Sequence, residues 1–179
     1  MLRHDLPGGA FRRLLEESDA GELFALTDRN REHLEPWMPW VPGIRSAEDE
    51  IGFIRITRRQ VADNDGFVAA IVGDGAIVGT VGFHAVDWGN RATTIGYWLS
   101  QDAVGRGTMT EAVRALVDHA FGAWQLERVV IEAAADNARS RAIPERLGFT
   151  EEGVRRHAER VGDRFVDLVV YAMLAADWR

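Results

Sequence analysis

Gly105 and Gly107 stand on either side of Arg106, where an aromatic, apolar run (IGYWLS, residues 95–100) gives way to a helical pattern. Bare backbone at that point has a chemical use. The first N–H groups of a helix lack intrahelical partners, and the helix dipole is positive there. Glycines let an anion approach that backbone without meeting a Cβ. Val104, Gly105, Arg106, Gly107 and Thr108 can therefore form a phosphate-binding turn, although the same pattern suits a plain tight turn into a helix. No P-loop lysine follows, and no third glycine completes a dinucleotide fingerprint.

Other chemistry is narrowed by what the chain contains. It has no cysteine, which removes disulfides, thiolate metal sites and a cysteine nucleophile. The five histidines (His4, His33, His84, His119 and His157) show no paired ligand spacing, so no metal is expected. Trp37 and Trp40, in EPWMPW, offer flat walls that can hold a cation over a ring. They can equally plug a core beneath a proline-stiffened loop. Pro144 has no N–H, and its ring crowds the carbonyl four residues back, that of Ser140. If one helix runs through both, the Ser140 carbonyl is left to accept from water or a ligand.

These residues need elements to hold them. Residues 11–15, FRRLL, predict a first strand. Ser18 is expected to cap a helix with Glu22 in its first turns and Leu23, Phe24 and Leu26 inward, ending near Asn30. Ser46 is expected to cap a second helix, SAEDEIGFIRITRRQVA, with acids early and basic residues late. GFVAAIV and AIVGTVGFHAV flank Gly73, Asp74 and Gly75, a hairpin signal. TTIGYWLS is a further strand. Residues 108–121 carry Met109, Ala112, Val113, Leu116, Val117, Ala120 and Phe121 on one helical stripe. ERVVIEAAA reads as a strand covered on both faces. A short helix follows Asn137, and two last strands surround Gly162, Asp163 and Arg164. The order βααβββαβαββ predicts an α/β (α+β) class: a central mixed sheet with helices on both faces.

A length of 179 residues with 46% hydrophobic and 27% charged residues suits one domain, 1–179, with a real core. The net charge of −7 argues against broad nucleic-acid binding; it suits a cationic partner or serves solubility alone. No apolar run approaches the ~20 residues of a membrane helix, and the first residues lack a signal-peptide core. A soluble, cytoplasmic protein is expected.

The succession of strand, G-x-G, amphipathic helix, buried strand and ADNARSRAIPERLGF resembles the GCN5-related N-acetyltransferase (GNAT) family. It looks most like the RimJ/RimL branch, which acetylates ribosomal-protein N-termini. EPWMPW (35–40), IGYWLSQDAVGRGTMTEAVRAL (95–116), RVVIEAAADNARSRAIPERLGFTEEG (128–153) and DLVVYAML (167–174) carry the likeness. The resemblance implies acetyl-CoA as donor, with no metal. It implies pyrophosphate on residues 104–108, and pantetheine along Tyr97, Trp98, Leu99 and Ser100. Asn137 and Ser140 match positions that touch the cofactor arm. One departure is Asp102, where many members carry Gln or Arg; an acid there is expected to face solvent.

Acetyl transfer to an amine needs a base for the ammonium proton, a donor for the carbonyl oxygen and an acid for the departing thiolate. The resemblance assigns the base to Glu159, which could instead be a strand-edge charge paired with Arg156 or Arg160. Ser140 is the expected acid, although a serine near a helix start is usually a surface or capping residue; the resemblance gives the oxygen donor as a backbone N–H on the strand holding residues 97–100. Thr93 and Thr94 stand on the strand where other members place an acid, which adds weight to Glu159; His84 and His157 are fallback bases, although a lone histidine near a strand end is more often structural. Trp37, Trp40 and His84 are the expected acceptor contacts. The acceptor is expected to be a protein N-terminal amine or a small molecule, and the enzyme a homodimer. A succinyl-CoA donor and a catalytically silent CoA-binding sensor are the competing readings.

Overall fold

Asp74 and Gly75 close a two-residue hairpin between β3 (Val68–Gly73) and β4 (Ala76–Asp87). Both take positive φ, 51° and 81°, the twist such a short loop requires. The computed structural model describes residues 3–6 and 9–179. The remaining strands are β1 (Arg3–Asp5), β2 (Phe11–Leu14), β5 (Ala92–Leu99), β6 (Arg128–Ala134), β7 (Thr150–Val161) and β8 (Arg164–Leu174). The helices are α1 (Ala20–Arg29), α2 (Arg31–Leu34), α3 (Ala47–Ala62), α4 (Thr108–Gly122) and α5 (Ala138–Arg146). The strands form one mixed sheet in the order β1-β2-β3-β4-β5-β6-β8-β7.

Alternation along the strands supplies both faces. Ile71, Ile95, Val129 and Ile131 pack with Met109, Ala112, Val113, Leu116 and Val117 of α4. Ala70, Val72 and Trp98 turn the other way, onto Leu23 and Leu26 of α1 and Ile54 of α3. The α4 stripe predicted from its period is buried except for Phe121, which is half-buried.

Two start signals behave differently. Ser46 caps α3: its Oγ accepts from Asp49 N at 3.4 Å, and Asp49 Oδ2 accepts from Ser46 N at 2.9 Å. Ser46→Ala is therefore expected to lower stability by about 1 kcal/mol. An unchanged urea midpoint would show the cap to be idle. Ser18, by contrast, is not a cap. It lies in a 3-10 turn, Glu17–Asp19, and α1 starts only at Ala20. Asp19 is the residue before α1, yet its side chain makes no cap bond to that helix, because its carboxylate accepts from Glu16 N and is gripped by Arg13. β1 was not anticipated either. Its RHD sequence has no strand pattern and is held by pairing with β2.

The feature that positions a site is a split in the sheet. β5 and β6, the one parallel pair among the described residues, join only at Ala92↔Arg128, Thr93↔Val129 and Thr94↔Val130. Beyond Thr94, β5 stays with β4 as far as Leu99, while β6 stays with β8 as far as Ala134. The sheet thus opens into a wedge from Ile95 onward. Among the described residues, no helix is long and apolar enough to cross a membrane, and no group of three or more His, Asp or Glu could hold a metal.

Candidate active site

The wedge leads to the glycine turn. After β5, Ser100 N donates to Val78 O at 2.8 Å, and a 3-10 turn, Gln101–Ala103, redirects the chain. Gly105 and Gly107 then take φ of 82° and 78°. Gly107 is the residue before α4, and no side chain caps that helix. A Cβ on either glycine would meet nothing within 4 Å. Positive φ, rather than crowding, calls for glycine here, and the space over the turn is open. Uncapped N–H groups under open space are what an anion needs. Asp102 is exposed, as expected. Arg106 is exposed too and lies 3.9 Å from Asp74.

Across the wedge stands α5. Asn137 caps it, its Oδ1 accepting from Ser140 N at 3.1 Å. The helix does run through Ser140 and Pro144, so the Ser140 carbonyl loses its helical donor. The Tyr97 hydroxyl replaces that donor, at 3.1 Å, where water or ligand had been expected. Ser140 Oγ in turn donates to the Tyr97 oxygen across a long 3.4 Å. Burial, chiefly, pushes the Tyr97 phenol far above its ordinary range, so it stays protonated. Its proton is committed to the carbonyl, while the Ser140 hydroxyl proton is only loosely held.

A second polar group lies on the opposite face. Glu159, on β7, is the cross-strand partner of Val166. It is half-buried and has no ion pair or hydrogen bond among the described residues; Arg160, an anticipated partner, reaches Gly162 O and Asp163 instead. Burial first, then the charge of Glu132, raises the Glu159 pKa. β7 reaches this position through a bulge. Four residue steps from Arg155 to Glu159 oppose two from Leu168 to Val166, and His157 has φ 48°. Two extra residues keep the alternation, so Glu159 stays on the face of Arg155. His157 itself stacks on Phe165 at 5.9 Å, at the exposed edge.

The sequence reading missed Glu132 and the Tyr97 hydroxyl. Glu132 is on β6, 2.6 Å from Arg155. Its signal was a single acid inside the apolar run VVIEAA. The Tyr97 signal was the orphaned Ser140 carbonyl, whose donor has no sequence mark. His84 lies on a β4 bulge, where Phe83↔Ile95 is followed by Val86↔Thr93. The Thr93 hydroxyl satisfies the freed Ala85 carbonyl at 2.7 Å. The His84 ring covers Gly96, whose Cβ would fall 2.4 Å from Nε2. Desolvation lowers the His84 pKa against the pull of Glu132.

The tryptophans divide their work. Trp37 packs on a small cluster of Ala134, Val161, Val166 and Leu168. Arg164 lies over its ring at 5.7 Å while bonding Pro36 O and, at 3.3 Å, Asp136. Trp40 is 37% exposed, with its ring 5.9 Å from that of Trp98. Tyr97 packs with the α4 cluster, whereas Trp98, Ala134 and Val166 belong to the other face. Ser140 with Tyr97, and Glu159 with Glu132 and His84, therefore occupy opposite faces of the sheet. The wedge between β5 and β6 joins them. Such an arrangement can take an activated acyl group from one face and an amine from the other.

Comparison with known proteins agrees. Residues 10–150 match the acetyltransferase (GNAT) domain family. YdaF of Bacillus subtilis (strain 168), provisionally named a ribosomal N-acetyltransferase, is 40% identical over 93% of this chain and 91% of its own length. RimL, the ribosomal L7/L12 α-N-protein acetyltransferase, solved with coenzyme A, superposes with a TM-score of 0.91 at 26% identity, covering 95% and 96% of the two chains. The microcin C7 self-immunity acetyltransferase MccE, solved with acetyl-CoA and AMP, gives 0.88 at 27% identity over 96% and 93%.

Proposed function

The chain belongs to the GNAT acetyltransferase family, and from that premise we propose that this N-acetyltransferase modifies the α-amine of a protein N-terminus, with Glu159 as its base. The observation that carries the proposal is Glu159 itself: a half-buried carboxylate on the sheet face opposite Tyr97, with no ion pair or hydrogen bond among the described residues and with a raised pKa. Acetyl-CoA, the co-substrate, supplies an acyl thioester. The residues present suit it: an open glycine turn at an uncapped helix for its phosphates, and a β5 edge released from β6 for its arm.

The roles assigned in this proposal are these. Residues 104–108 hold the pyrophosphate through backbone N–H groups. Tyr97, Trp98, Leu99 and Ser100 present backbone along the wedge, with Asn137 at its other wall. Glu159 removes the ammonium proton, so that the amine nitrogen can bond the acyl carbon as the carbon–sulfur bond breaks. The Ser140 hydroxyl gives the sulfur its proton and regains one from solvent, and the second proton of the nitrogen leaves to solvent as the amide forms. Tyr97 keeps that hydroxyl in place and, as a phenol, adds no charge. Trp37, Trp40 and His84 wall the approach of the amine.

The relatives named above support a protein acceptor, since RimL acts on the N-terminus of a ribosomal protein by its own name. Chemistry favours an α-amine as well: its pKa is about 8, against about 10.4 for lysine, so less is asked of the base. A peptide carrying a free N-terminus and an internal lysine, incubated with acetyl-CoA and read by mass spectrometry, is expected to be acetylated at the N-terminus. Label at lysine alone, or turnover of a small amine with none of the peptide, would replace this acceptor by another.

A further inference from the structure

The two arginines of β2 point to opposite faces, as consecutive strand residues must. Arg13 finds a carboxylate and pairs fork to fork with Asp19, at 2.6 and 2.7 Å. Among the described residues Arg12 does not. It is only 3% exposed, and its Nε and Nη2 have no hydrogen-bond partner among those residues. Burial pushes its guanidinium down to about 10. An unpaired buried cation is costly, and an orphan of this kind in a folded protein has a cause.

The two orphaned nitrogens share one edge of the guanidinium. That edge presents two parallel N–H groups, the fork that a carboxylate accepts in bidentate fashion. Arg12 lines a cleft of about 220 Å³, together with Asn64, Phe67, His119 and Trp124. The walls are aromatic: the Phe67 ring lies 5.7 Å from His119 and 5.8 Å from Trp124. The Arg12 guanidinium carbon is 5.9 Å from the Phe67 centroid. Burial first, then the Arg12 charge, lowers the His119 pKa, and Arg13, which also lines the cleft, is already paired with Asp19. His119 is twelve residues along α4 from Gly107, about 18 Å at 1.5 Å per residue. The cleft is thus remote from the glycine turn.

We propose that this cleft is a second ligand site, for a small monocarboxylate with an apolar or aromatic body. Arg12 Nε and Nη2 grip the carboxylate, and Phe67, His119 and Trp124 enclose the body. The Arg12 charge, which no described carboxylate answers, matches one carboxylate, and aromatic walls disfavour a bare hydrated anion. The orphaned edge is itself buried, and rotation of the long arginine stem presents it to the cleft that Arg12 lines.

Calorimetric titration of the full chain with phenylacetate, and with phenylacetamide as its neutral isostere, tests this. Phenylacetate is expected to bind saturably, the amide at least about tenfold more weakly, as loss of a charge-assisted bond implies. Saturating phenylacetate should leave coenzyme A affinity unchanged. Arg12→Met removes the fork while keeping the stem; it should lose phenylacetate by at least about tenfold and still bind coenzyme A, which reports its folding. Arg12→Lys keeps the charge without the fork and decides the matter if Arg12→Met does not fold: affinity equal to the parent's would overturn the proposal. So would absence of saturable phenylacetate binding at millimolar concentration, equal binding of acid and amide, or displacement of phenylacetate by coenzyme A.

Discussion

Replacing Glu159 by glutamine is expected to lower turnover by roughly 10²–10⁴-fold, the usual worth of a positioned general base. Glutamine keeps the shape of the side chain and removes the proton acceptor. Because Glu159 has no hydrogen bond or ion pair to lose among the described residues, the variant should fold normally. Its stability follows from the sign of the pKa shift. A folded-state pKa raised above the unfolded value means that the folded state holds the proton more tightly. Ionisation of Glu159 therefore costs stability as pH rises through that window, and glutamine removes the cost. At neutral pH the variant should be at least as stable as the parent. The parent's rate should fall as pH drops through the raised Glu159 pKa, and that acid limb should vanish in the variant. Parent-like rates in Glu159→Gln would move the base to another group or to water. Lost activity accompanied by lost acetyl-CoA binding would point instead to a structural role.

Acetyl-CoA at 100 times its dissociation constant is expected to stabilise the parent by about 2.7 kcal/mol, and Gly107→Glu to abolish that gain. The substitution acts in two ways. It places a carboxylate where uncapped N–H groups await phosphate, and it puts an L side chain at φ 78°. The second effect alone costs roughly 1–2 kcal/mol, since a Cβ at this position meets no atom within 4 Å. Gly107→Asn separates the two, because asparagine tolerates the left-handed region and carries no charge. It should retain most of the thermal shift. An acetyl-CoA shift that survives in Gly107→Glu would remove the phosphates from this turn.

Much of this protein was determined by the sequence because its signals are local. The α4 stripe from Met109 to Ala120, the Ser46 cap and the Asp74 and Gly75 hairpin each depend on residues a few positions apart. Local periodicity, capping and turn chemistry therefore suffice to read them. The glycine turn was legible for the same reason. Even the orphaned Ser140 carbonyl followed from Pro144 four residues later. What the tertiary structure alone decided concerns partners far apart in the chain. Tyr97 as donor to Ser140 spans 43 positions. The parting of β5 from β6 after Thr94 depends on register between strands that do not neighbour each other in sequence. β1, too short to carry a pattern, exists by pairing with β2. Whether a charge is free or paired is also a tertiary matter. Arg12 and Arg13 are adjacent and chemically identical, yet Asp19 reaches one, and among the described residues no acceptor reaches the Nε and Nη2 of the other. Residue type defines what a side chain can do, and the packing of distant segments defines which of those options it takes.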